Sequence, residues 1–170
     1  MLEILQHTPV WVYITFLALI YLGIRACFTH EINLRQTMIF PVIFVFLSII
    51  TFYYYPQPIL TVPVWSIAAL TGALVSRFLL ERRSIKLGNK TNTLIVPGSC
   101  IILFILLFYF ALRYYLGYQT AVRGGVQALT MTQLISFFIS SGFISGFFIA
   151  RTWLLRKYYR LLSHTSTKSI

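Results

Sequence analysis

The sequence predicts an all-α integral membrane protein, a bundle of five transmembrane helices with its N-terminus outside and its C-terminus in the cytoplasm. Three observations carry this. The chain is 58% hydrophobic and holds only three acidic residues in 170, well outside the composition of soluble domains. Its apolar residues gather into five blocks of about 20, the length that crosses a hydrocarbon core of roughly 30 Å. Twelve of the 14 Lys and Arg residues fall at or beyond the far ends of blocks one, three and five, so all five helices agree with one orientation.

A single domain, 1–162, is expected. Its first helix covers about 8–27, with Thr8 as N-cap and Pro9 at the first helical position, where a missing N–H costs nothing. The N-terminal flank carries Glu3 and His7 instead of Lys or Arg, and the stretch is too long for a cleavable signal, so the helix should be retained. The second helix, about 34–55, opens after Asn33 with Gln36 placed for a capping-box contact and ends in Tyr53-Tyr54-Tyr55-Pro56. Pro41 lies about two turns inside it and is expected to bend it. The third, about 60–80, takes Pro63 in its first turn. A polar basic loop leads to the fourth, about 94–116, with Pro97-Gly98 in its opening turns. The fifth, about 131–155, starts near Thr130, whose spacing to Gln133 is again that of a capping box. Residues 163–170 should form a flexible cytoplasmic tail.

The basic residues divide between the two sides. Arg25 and Arg35 follow the first helix; Arg77, Arg82, Arg83, Lys86 and Lys90 the third; Arg151, Arg156, Lys157, Arg160 and Lys168 the fifth. Only Arg113 and Arg123 lie opposite. The net charge of +11 therefore points to membrane lipids with anionic headgroups, met chiefly by Arg82, Arg83, Lys86, Arg156, Lys157 and Arg160. Nucleic acid is not an expected partner, because no motif for it accompanies the charge. Trp11, Tyr53 to Tyr55, Trp65, Tyr114, Tyr115 and Tyr118 would anchor the outer interface, and Trp153, Tyr158 and Tyr159 the inner one.

Several chemistries are disfavoured. The chain has no Asp, and Glu3, Glu31 and Glu81 all lie outside the apolar blocks. Proton- and cation-coupled carriers usually hold carboxylates in the membrane, and carboxylate proteases and two-metal hydrolases need clustered acids. Transport through backbone carbonyls survives this test. His7, His30 and His164 are too dispersed to ligate one haem, and Cys27 and Cys100 form no C-x-x-C pair. No cofactor or metal is expected. Ser99 and the serines of the fifth helix lack a G-x-S-x-G elbow and a nearby His.

Two constellations remain. On the outer side, Arg113, His7, Arg123 and Tyr114 form a candidate ligand-binding group, with Glu3 and Gln119 nearby. A partly buried guanidinium seeks a carboxylate, a carbonyl or a lipid phosphate. The plainer reading, and the favoured one, is that Arg113 snorkels to water, with a salt bridge to Glu3. On the fifth helix, Ser141, Gly142, Ser145, Gly146 and Ala150 make a small-residue stripe, echoed in the third by Ala68, Gly72 and Ser76. Such stripes let backbones approach closely in lipid. Packing of the third helix on the fifth is the first expectation; a homodimer or a partner membrane protein is the second.

Short motifs run along most of the chain: His7-Thr8-Pro9-x-Trp11-Val12, Leu22-Gly23-x-Arg25, Pro97-Gly98-Ser99, Arg113-Tyr114, and the Ser-Gly pattern before Ala150-Arg151. In these the sequence resembles a family of small bacterial inner-membrane proteins of unknown function. It departs from that family's pattern at Cys100, where an aromatic is commoner, and at Arg113, where Lys is frequent. The resemblance implies a compact multi-helix membrane domain and no established activity. The expected function is that of a multi-pass inner-membrane protein, a small transport-related or accessory component binding a lipid, a small ligand or a partner protein. The alternative is an intramembrane enzyme or redox component acting on a lipid-soluble substrate.

Overall fold

A computed structural model describes residues 10–54, 58–81, 85–88, 93–122 and 130–167. Five helices and three short strands follow in chain order: α1 (Val10–Cys27), β1 (His30–Asn33), a 3-10 turn (Gln36–Met38) leading into α2 (Ile39–Tyr54), α3 (Pro58–Glu81), β2 (Lys86–Leu87), β3 (Thr93–Val96), α4 (Cys100–Val122) and α5 (Met131–Thr167). The fold is helical, as expected. α2 with its preceding turn, α3, α4 and α5 are each long and apolar enough to cross a membrane. Phe46, Leu70, Leu74, Phe104 and Phe108 stand exposed on them, which lipid tolerates and water does not. Glu3, His7, Thr8, Pro9, Tyr55, Arg82, Arg83, Lys90, Arg123 and Lys168, each given a role in the sequence reading, lie outside the described residues.

The largest departure from expectation is a three-stranded antiparallel sheet in the order β1-β3-β2. Residues 94–96, expected to open the fourth helix, are instead its central strand: β3 pairs with β1 from His30↔Val96 to Asn33↔Thr93, and with β2 at Lys86↔Ile95 and Leu87↔Leu94. The cause is local. Val96 precedes a proline, which pushes it toward extended backbone, and Pro97 and Gly98 are poor helix formers. The helix starts only at Cys100. Gly98 also lies so close to the Cys27 carbonyl that a β-carbon would collide with it.

Two further boundaries move for similar reasons. The start of α2 shifts to Ile39, because Asn33 Oδ1 accepts from the Arg35 amide at 3.1 Å and holds a turn there. Pro41 thus falls in the first turn of α2, where proline breaks no helical bond. At the other end of the chain, α5 continues to Thr167, well past Leu155, and Ser163 to Thr167 are helical rather than a loose tail. Its 37 residues span about 55 Å at 1.5 Å each, more than a bilayer core needs. The excess has a partner: Leu154 and Leu155, with Tyr158, Tyr159 and Leu162 around them, pack on Leu34, Leu80, Leu94 and Val96. The sheet and the end of α5 therefore form a cap at the end of the bundle where the basic residues gather.

The start of α5 follows the sequence pattern closely. Gln133 Oε1 accepts from the Thr130 amide at 3.1 Å and from the Thr130 hydroxyl at 2.8 Å, satisfying a donor that the helix leaves orphaned.

In the bundle, α5 runs through the middle, against α3, α2 and α4, while α1 packs on α4. A second apolar cluster, Phe44, Ile102, Leu106, Tyr109, Ile144, Phe147 and Phe148, joins α2, α4 and α5. On its other side α5 meets α3 backbone to backbone. Gly142 lies against the Trp65 carbonyl, Gly146 against the Ala69 carbonyl, and Gly72 of α3 against the Phe143 carbonyl.

Candidate functional site

The small-residue stripe of α5 has two faces with different tasks. Gly142 and Gly146 meet α3, as above, so this surface is taken up within the chain. Ser141 and Ser145, one residue back around the helix, turn toward α2; Ala150 is half-buried. Ser48 of α2 receives them. Its Oγ lies 2.7 Å from Ser141 Oγ and 3.0 Å from Ser145 Oγ, and 2.9 Å from the Phe44 carbonyl. Trp65 Nε1 of α3 donates to the same hydroxyl at 3.4 Å. Ser48, Ser141 and Ser145 are all buried, so three helices share a hydrogen-bonded node away from solvent. Hydroxyls that pair with each other and with helical carbonyls can be buried at small cost.

One turn along α2 the seam becomes charged. Thr51 Oγ1 donates to the Leu47 carbonyl at 2.8 Å and accepts from Arg113 Nη2 of α4 at 3.1 Å. The Arg113 guanidinium also sits 4.1 Å from the centre of the Phe137 ring of α5, within cation–π range. Helices α2 and α5 thus both contact this cation of α4. It is half-buried, held against neighbouring helices rather than extended freely along the surface.

One turn from Arg113 on the same helix, Tyr109 is nine-tenths buried. Its ring meets Phe44 edge-on at 5.5 Å. Its hydroxyl is enclosed and has no hydrogen-bond partner among the described residues, and Arg113 follows one turn on along the same helix. A buried hydroxyl left unpaired costs about 1–3 kcal/mol. Arg113 and Tyr109 thus lie one turn apart on α4, on the side that faces α2 and α5.

Of the residues expected to bind a ligand, Arg113 lies in this seam and Tyr114 beside it on α4 is half-buried; His7 and Arg123 lie outside the described residues. Ser48, Thr51, Trp65 and Tyr109 were not expected as site residues. A signal for two of them existed: Ser48 and Thr51 are the only hydroxyl side chains in the apolar run from Ile39 to Phe52, and they fall three apart, on one helical face.

At the cap, Lys86, Arg156, Lys157 and Arg160 are exposed. Lys157 Nζ lies 5.6 Å from the Trp153 ring centre, and Arg156 donates to the Met38 thioether. Glu31 in β1 accepts from the Thr93 hydroxyl of β3 at 2.6 Å. Glu81 pairs with Arg77 one turn away at 2.7 Å, both well exposed. No cluster of three or more metal-ligating side chains occurs among the described residues.

A groove of about 330 Å³ on the outer face of α2, lined by Pro41, Val42, Val45, Phe46 and Ile49, is apolar and includes neither Arg113 nor Tyr114. No curated protein and no solved structure matches the chain. A family of unknown function, DUF6622, matches residues 1–163, and the chain belongs to that family.

Proposed function

We propose that this protein is a non-enzymatic, multi-pass component of a bacterial inner membrane, an accessory or transport-related protein that binds an anionic group at Arg113. The N-terminus is outside, the C-terminus cytoplasmic, and the ligand is a lipid phosphate or a small carboxylate or phosphate. The observation that carries this reading is the pairing of Arg113, positioned by Thr51 and Phe137, with the enclosed, unpartnered hydroxyl of Tyr109. One oxygen of an anion can accept from both. Positive charge and a hydroxyl donor one turn apart on a helix favour an oxyanion over a neutral ligand.

The basic cap supports the orientation. Lys86, Arg156, Lys157 and Arg160 project from the end that holds the sheet, where anionic cytoplasmic headgroups attract Lys and Arg by about 1 kcal/mol each. The groove on α2 supports a lipid-facing role over catalysis, because its walls are hydrocarbon and its lining includes no polar site residue.

Native mass spectrometry on protein released gently from its membrane tests the site. Wild type should carry a defined anionic adduct, Arg113→Gln should lose it while keeping its helical content, and Arg113→Lys should keep part of it. Equal adducts on wild type and Arg113→Gln would show that the cation serves packing alone.

A further inference from the structure

The two cysteines, 73 positions apart in sequence, are brought together where α1 meets α4. The two helices run antiparallel, and their contacts fall in register. Phe16 meets Phe110 at a centroid distance of 5.5 Å, Gly23 faces Leu103, and the Ala26 carbonyl accepts from the Ser99 amide at 2.7 Å. Gly98 presses on the Cys27 carbonyl. The next side chains along this register are Cys27, last in α1, and Cys100, first in α4. The backbone contacts on either side, Ser99 to Ala26 and Gly98 to Cys27, bring the two residues next to each other. Both are free; Cys100 is exposed and Cys27 half-buried.

We infer that Cys27 and Cys100 are a redox-reactive thiol pair, which a small-molecule disulfide of the glutathione class oxidises to an internal bond tying α1 to α4. Neighbouring backbones in contact bring the two α-carbons toward the close spacing that a disulfide requires. The difference in exposure sets the order of events. The Cys100 thiolate attacks one sulfur of glutathione disulfide, expels one glutathione thiolate and is left as a mixed disulfide. The Cys27 thiolate then attacks the Cys100 sulfur and expels the second. Two electrons pass to the glutathione disulfide, and the two thiol protons end on the two glutathiones released. In a reducing compartment the pair rests as thiols and closes under oxidative load.

The bond would matter most for α1, whose main packing partner is α4. Closing it converts a contact of side chains and one amide into a covalent link at the basic end of the helix.

The full-length protein in lipid nanodiscs is treated with glutathione disulfide, and its intact mass and non-reduced peptide map are read. Closure of the pair yields a monomer lighter by about 2 Da than the reduced protein, a linked peptide joining Cys27 to Cys100, and full reversal by dithiothreitol. Cys27→Ser then stops at a stable glutathione adduct on Cys100. Amide exchange over Val10–Cys27 should slow in the oxidised wild type and recover on reduction. Three results overturn the inference: a persistent glutathione adduct on wild-type Cys100, a bond between two chains through Cys100, or both thiols intact under conditions that modify Cys100 in Cys27→Ser.

Discussion

The α3–α5 contact and the α1–α4 contact both place glycine between helices, and they use it differently. Gly142 and Gly146 of α5 meet the carbonyls of Trp65 and Ala69, while Gly23 of α1 meets the flexible tip of the Leu103 side chain. A carbonyl cannot move without its helix, whereas a leucine can change rotamer. In lipid, where apolar surface gains little by being covered, close backbone approach is a main source of helix association. The α3–α5 pair is therefore the rigid half of the molecule, and α1–α4 the adjustable half. The polar seam is built on α5, against the rigid side, which keeps Phe137 and the two serines in fixed positions relative to Trp65 of α3.

The largest effect should come from breaking the rigid contact. Gly146→Val drives a branched side chain into the Ala69 backbone and should destabilise the protein by about 3 kcal/mol, seen as a lowered unfolding midpoint in detergent. Thr51→Val keeps the shape but removes the oxygen that Arg113 donates to. A loss of about 2 kcal/mol is expected, in line with hydrogen bonds to charged groups; no loss would mean that Arg113 is held by its other contacts. Ser48→Ala deletes the node shared by Ser141, Ser145 and Trp65, at about 1 kcal/mol, because interhelical hydrogen bonds in membranes are individually modest. Gly23→Ala sharpens the comparison from the other side. Its added methyl meets Leu103, whose δ-carbon can swing away while its β-carbon must give a little, so a cost of about 1 kcal/mol or less is predicted, offset in part because Ala favours helix over Gly. A Gly23→Ala cost equal to that of Gly146→Ala would remove the distinction between the two halves.

Much of the fold was legible because the signals were periodic or local. The apolar runs gave the helices, and the Thr130–Gln133 spacing gave the start of α5 to the residue. The glycine stripe on α5 was readable as a close-packing face, and its echo in Ala68, Gly72 and Ser76 made α3 the first expected partner. The sheet was hidden for a physical reason. Thr93-Leu94-Ile95-Val96 is a short apolar, β-branched run beside a long apolar helix, and such a run has no period that separates strand from helix. Its partners, His30–Asn33, lie some 60 residues upstream. The packing role of the end of α5 was missed because Tyr158 and Tyr159 read as interface anchors, when they and Leu162 also pack near the sheet.

The site was half legible. Arg113 announces itself as a cation in an apolar block, and that alone marks it for attention. Tyr109 does not, since a tyrosine among phenylalanines and leucines looks like any other core aromatic. What sets it apart is an enclosed hydroxyl without a partner, which is a property of three helices and not of one.

That hydroxyl gives the most direct test. Tyr109→Phe removes one oxygen and leaves the ring in place against Phe44. If the seam binds an anion, Tyr109→Phe should unfold no more easily than wild type, because the deleted group has no partner among the described residues, yet retain less of the anionic adduct in native mass spectra. An adduct held as fully as in wild type, together with a drop in stability, would contradict the account and make Tyr109 a structural residue.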